Sequence, residues 1–169
     1  MMAYKRQRNL KDILIQAKVP QTHRNPKRTL RGMNKCHKVY CNVCPFVKER
    51  KNFKMYTKQI WNINKHVNCN SQNVVYMIEC DKEGCNEKYI GETKRSLRSR
   101  FADHRGYVKG NKTDKATGMH FNLPGHSVIN MKVSIIEQVK YNSDLYRKER
   151  EDFYIRRFNT YNEGLNRKQ

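Results

Sequence analysis

Tyr76 and Tyr89 each lie in a short apolar run, Val74-Val75-Tyr76-Met77-Ile78 and Tyr89-Ile90-Gly91, and Arg100, His104 and Glu151 follow them along the chain. A phenol close to cations can exchange a proton, and a planar guanidinium grips non-bridging phosphate oxygens. A single carboxylate suffices to bind Mg²⁺ or Mn²⁺ when water and phosphate fill the other ligand positions. Phosphodiester hydrolysis needs these abilities in one place: proton removal from water, a cation beside the charge developing on phosphorus, and a hold on the scissile group. Arg100 and His104 are four residues apart, so a helix carries them on one face. The carboxylate is less determined, because Glu149 and Asp152 compete with Glu151 in Arg147-Lys148-Glu149-Arg150-Glu151-Asp152. Taken singly, each residue has a plainer reading, since strand tyrosines usually pack and charges on a helix are usually solvated. The chemistry rests on their combination.

The cysteines form two sets. Cys80 and Cys85, with four residues between them, combine with His120 and His126, with five between, into a tetrahedral Cys₂His₂ zinc site. Upstream, Cys36, Cys41 and Cys44 make a second set. Its fourth ligand is Cys69, with His37 and His66 as alternatives, and Cys41-Asn42-Val43-Cys44 is its tight clip. No strand precedes that clip as in thioredoxin-like redox pairs, so metal binding is the better reading.

Lys and Arg number 36 against 15 Asp and Glu, a formal charge of +21, which selects a polyanionic partner, nucleic acid first. The longest apolar runs are far too short to span a bilayer and the N-terminus lacks a signal-peptide core. The expectation is an intracellular protein, nuclear, with no membrane partner and with cysteines reduced and free for metal. With 169 residues and 37% hydrophobic content there is room for one core and good use for a metal staple.

The elements that must position these groups follow from patterning. Residues 1–32 read as a basic arm, with an amphipathic helical run Leu10–Ala17 ended by Pro20 and a linker Asn25–Gly32. Residues 33–72 form a small cysteine-rich zinc module, and 73–169 the main domain. Within the latter, Asn73–Cys80 and Lys88–Glu92 are strands joined through a hairpin carrying Gly84, and Thr93–Tyr107 is a helix. Residues 106–118 are a loop, Met131–Ile136 a third strand, and Ser143–Phe158 a helix capped by Ser143 or Asp144. The fold class is α+β, a small mixed or antiparallel sheet flanked by helices.

The order Val74-Val75-Tyr76, Tyr89-Ile90-Gly91, Leu97-Arg98-Ser99-Arg100, Glu151, Gly164-Leu165-Asn166 resembles the GIY-YIG nuclease superfamily over residues 73–167. The first motif departs from it in lacking the glycine and isoleucine, while keeping the tyrosine. The resemblance implies a general-base role for Tyr76, with Tyr89 orienting or sharing it, phosphate contact by Arg100, and a supporting role for His104. It also implies metal ligation by Glu151 and a polar support from Asn166. A cysteine pair inside the hairpin with histidines downstream, preceded by a cysteine-bearing linker, is similar to the nuclease of Penelope-like retroelements. That likeness implies a nick that primes reverse transcription, with DNA, an RNA template and a reverse transcriptase as partners. Two other readings stand beside it: a non-catalytic zinc-containing nucleic-acid-binding protein, and a structure-specific repair nuclease.

Overall fold

The computed structural model describes residues 31–166. The basic arm up to residue 30, with its expected Leu10–Ala17 helix, lies outside the described residues. Gly32, read as the end of a flexible linker, belongs to strand β1 (Gly32–Met33), which runs parallel to β4 (His66–Val67). Its φ of 125° and the 2.6 Å that would separate a Cβ from the Arg50 carbonyl oxygen restrict the position to glycine. A short antiparallel pair, β2 (Asn52–Lys54) and β3 (Ile60–Asn62), completes the strands of the cysteine-rich segment.

The main sheet has three antiparallel strands in the order β6-β5-β7, where β5 is Val74–Cys80, β6 Lys88–Thr93 and β7 Met131–Gln138. β5 is central and buried at all positions but Glu79, which explains its nearly continuous run of Val, Tyr, Met and Ile. A register shift against β7 falls between Val75 and Tyr76. Between β6 and β7 the chain forms helix α1 (Leu97–Lys109) and the short α2 (Ala116–Phe121), and α3 (Asp144–Phe158) follows β7. The α+β class therefore holds, with three α-helices among the described residues.

Helix α1 starts four residues later than the pattern predicts. Thr93 is still paired with Val74 in β6, and its Oγ1 accepts from the Arg95 N–H, so Ser96 is the first residue free to cap. Ser143 caps α3, one of the two residues expected there. Helix α2 overturns the loop expected over 106–118. Thr117 and Gly118 favour no helix by propensity, yet both are buried, and a Cβ at Gly118 would lie 2.1 Å from the Lys112 carbonyl oxygen. Tertiary packing decides there.

The cysteine-rich segment shares the core of the sheet domain: Met33, Val43, Val47 and Phe53 are buried in the same cluster as Val74, Ile90, Phe101 and Tyr154. It also caps α1. The Leu97 and Arg98 N–H groups, orphans of the first turn, donate to the Ser71 and Cys69 carbonyls at 3.0 and 2.9 Å. No described helix is long and apolar enough to cross a membrane.

Candidate active site

Tyr76 and Gly91 face each other across β5 and β6, and Tyr89 lies two residues along from Gly91, so both phenols project on the side of the sheet that carries α1. The tyrosines meet over the missing side chain. A Cβ on Gly91 would sit 2.6 Å from Tyr76 Oη and 2.8 Å from Tyr89 Cε1. Helix α1 brings Arg100 and His104 onto this spot. Arg100 Nε donates to Tyr76 Oη at 3.0 Å, and Tyr76 Oη and His104 Nε2 are 2.7 Å apart. On its far side the imidazole Nδ1 is 2.9 Å from Thr117 Oγ1. With Arg100 supplying the donor to Tyr76, a consistent proton map has Tyr76 O–H donating to His104 Nε2 and His104 Nδ1–H donating to Thr117. Tyr89 stacks edge-on to the same imidazole with ring centres 5.3 Å apart. A cleft of about 240 Å³ opens here, lined by Tyr89, Arg100, His104, Tyr107 and Lys115.

Burial governs the protonation states. Desolvation, reinforced by the neighbouring Tyr89, holds the Tyr76 hydroxyl well above the ordinary phenol range, and Arg100 opposes it without winning. Proximity to a cation therefore does not by itself release this proton: in the protein without substrate Tyr76 is a neutral donor. Burial, with Arg100 alongside, pushes His104 down to about 3, so its imidazole is neutral and Nε2 offers a lone pair. Glu151 on α3 is pushed up to about 7, by burial first and then by the nearby carboxylates Glu92 and Asp152.

That environment separates Glu151 from its competitors. Glu149 and Asp152 are exposed, whereas Glu151 is half-buried and its charge acts on Tyr76, Tyr89 and Arg100. Glu92, beside it, is engaged elsewhere: Arg147, almost fully buried, donates to the Glu92 carboxylate and, at 2.9 Å each, to Asn73 Oδ1 and Asp144 Oδ1. Asn166 is not bonded to the phenols. Its amide accepts from the Ile90 N–H at 2.8 Å and donates to the Ile90 carbonyl at 2.7 Å, closing the outer edge of β6. Leu165 N–H joins the edge at Lys88, and Gly164 is needed for the approach, since a Cβ would lie 2.6 Å from the Lys88 oxygen. Among residues not singled out from sequence, Thr117 had no signal, lying in a segment read as loop. Gly91 stood inside a quoted motif, but its role shows only once the register is known.

Both cysteine sets assemble. The ligand atoms of Cys36, Cys41, Cys44 and Cys69, and those of Cys80, Cys85, His120 and His126, each lie within 4.8 Å of one another. All six cysteines are unbridged. Cys36 and Cys44 sulfurs are 3.5 Å apart, Cys44 and Cys69 3.7 Å, and Cys85 Sγ and His120 Nε2 3.6 Å. Zinc–sulfur bonds of about 2.3 Å in a tetrahedron imply edges of roughly 3.8 Å, so the donor sets fit. His126 Nε2 is buried without a hydrogen-bond partner, as an atom reserved for a metal would be. Cys69 joins the upstream set, whereas His66 contacts Asn34. Arg98, on α1, donates to Cys36 Sγ at 3.4 Å.

A half-buried guanidinium beside the cleft, a phenol held between it and an imidazole, and a carboxylate whose charge reaches the phenol and the guanidinium are groups suited to phosphate-ester hydrolysis. A family model, that of the GIY-YIG catalytic domain, matches residues 72–166. This is more than half of the 169 residues, and the chain belongs to the GIY-YIG family, a family of nucleases acting on DNA. No curated protein and no solved structure gives a significant match to it.

Proposed function

We propose that this chain is a divalent-metal-dependent DNA endonuclease that nicks one strand, stabilised by two structural zinc ions. The observation that carries the reading is the convergence of Arg100 and His104 on the hydroxyl of Tyr76, with Glu151 alongside. Tyr76 acts as the base by exchange: it takes a proton from the attacking water as it passes its own to His104 Nε2. A neutral, buried imidazole is a weak acceptor in the free protein. An arriving phosphate reverses this, because a nearby anion favours imidazolium. Arg100, already oriented by Tyr76, turns its remaining N–H groups to the phosphate oxygens, and Tyr89 closes the other flank. Glu151 is the ligand for Mg²⁺ or Mn²⁺, a Lewis acid that stabilises charge on the phosphate when bound. Cys80, Cys85, His120 and His126 hold one zinc and tie the β5–β6 hairpin to the turn after α2. Cys36, Cys41, Cys44 and Cys69 hold the other at the start of α1.

One site per chain supports nicking. The two cysteine sets, with the basic arm 1–32 and the segment 33–72 ahead of the nuclease region 73–169, support a retroelement nuclease of the Penelope-like type. Such an enzyme works in the nucleus, and its nick primes reverse transcription with an RNA template and a polymerase. The test is conversion of supercoiled plasmid to nicked circle by zinc-loaded protein, with Mg²⁺ or Mn²⁺ against chelator. Nicking that needs the metal and is lost in Glu151→Ala supports the reading. Tight DNA binding without nicking by folded protein would favour a zinc-containing binding module instead.

A further inference from the structure

The loop His37–Tyr40 leaves the four-cysteine cluster between two of its ligands, Cys36 and Cys41, and all four loop residues are exposed. At its tip Val39 is 89% and Tyr40 94% exposed. Scattered exposed apolar residues need no explanation. These two are adjacent, and the turn is closed by a Cys41 N–H to Lys38 carbonyl bond of 3.0 Å. The tip is therefore displayed on a fixed base. Lys35 and Lys38 flank it on a chain of charge +21, so the surface around the apolar tip favours a polyanion.

Its position relative to the cleft follows from α1. Arg98 and Arg105, seven residues apart and thus on one stripe, lean on the two ends of this cysteine-bearing loop: Arg98 on Cys36 Sγ, and Arg105 on the Asn42 carbonyl at 2.7 Å. Arg100 and Tyr107, also seven apart, lie on the stripe that lines the cleft. The cysteine-bearing loop and the cleft thus flank α1 on opposite sides, at least one helix diameter, roughly 10 Å, apart. The outward face between them carries Ala102 and Gly106, both exposed and small.

We propose that Val39 and Tyr40 form a wedge that enters the base stack of duplex DNA beside the phosphate held in the cleft, an inference that rests on the DNA-cleaving reading. A phenol stacks on any base and a branched aliphatic side chain pries a step open, which suits a contact that supplies affinity and bending without reading sequence. At 3.4 Å per base along a strand, a separation of at least roughly 10 Å places the opened step about three or more base pairs from the cut.

The test uses the full zinc-loaded chain, with Ca²⁺ replacing Mg²⁺ to hold DNA uncut, and a short duplex containing a nick site mapped beforehand. 2-Aminopurine is placed at successive positions. The expected result is a fluorescence rise confined to one step, about three or more base pairs from the nick site. Tyr40→Ala should remove that rise and weaken binding between about 5- and 150-fold, the range of one lost base stack. Zinc content and the slope of affinity against salt should not change, because no phosphate contact is lost. Tyr40→Phe should behave as the parent. A flat fluorescence scan in the parent complex, or parent affinity in Tyr40→Ala, overturns the wedge and leaves the nuclease reading standing. A parent chain that binds no duplex removes both.

Discussion

Gly91→Ala adds one methyl group where Tyr76 and Tyr89 rest on the backbone of β6. Gly91 has no positive φ, so alanine meets no backbone strain there and the effect is steric. The new carbon would lie 2.8 Å from Tyr76 Cζ, roughly 0.7 Å inside a comfortable carbon–carbon separation of about 3.5 Å. Retreat of the Tyr76 ring by that amount breaks the 2.7 Å contact with His104 or the 3.0 Å bond from Arg100. Overpacking costs about 1–3 kcal/mol, and replacing a strand glycine returns roughly 0.5–1 kcal/mol, so the net loss is about 0–2.5 kcal/mol. Tm should fall by no more than about 10 °C in a chain of this size. Displacing the base by nearly 1 Å should cost on the order of 100-fold in rate. Single-turnover nicking and thermal unfolding measured on the same preparation separate the two effects. Gly106→Ala is the control, because a Cβ there meets nothing within 4 Å and the parent rate should persist. A Gly91→Ala protein that nicks within threefold of the parent would falsify the assignment of Tyr76 as the base that must be held in place.

The half-buried Glu151 carries the clearest pH dependence. Its folded pKa of about 7 lies above the ordinary 4.5, so the folded state binds more protons between these values and stability falls as pH rises through that window. Above it the penalty is about 3 kcal/mol, and Glu151→Gln should raise Tm at pH 8, have no effect below pH 4, and abolish nicking. At limiting Mg²⁺ the parent's rate should drop as pH falls below about 7, when the carboxylate protonates. Elemental analysis should find two zinc ions per chain, with Cys69→Ser and Cys85→Ser each removing one and destabilising the fold. Asn166→Ala removes two bonds to Ile90 and should cost about 1–3 kcal/mol, with residual nicking tracking the folded fraction. Loss of nicking in a fully folded Asn166→Ala protein would instead give the amide a direct part in the chemistry.

The sequence was most legible where one residue type answers one constraint. An apolar run such as Val74–Ile78 has few uses besides a buried strand, and the cysteine and histidine spacings have few uses besides a metal. Legibility failed where meaning depends on distant neighbours. Thr117 supports His104 from a helix that packing, not propensity, creates. Arg147 looks like one more surface cation in a charged run, yet it is buried and pairs with Glu92, the carboxylate that acts most strongly on Glu151. The protonation of Tyr76 is illegible for a related reason. Counting cations along the chain says nothing of desolvation, which here outweighs the adjacent guanidinium.

Helix α1 answers to two masters through residues only two apart, Arg98 at the Cys36 thiol and Arg100 at the Tyr76 phenol. Each residue of an α-helix turns the chain by 100° and advances it by about 1.5 Å. Inserting or deleting a single residue between them would therefore swing one guanidinium about a quarter turn from its partner, whatever amino acid were used. In this stretch point substitutions are graded events, while changes of length are all-or-none. Between Arg98 and Arg100, then, a change of length costs one of the two contacts.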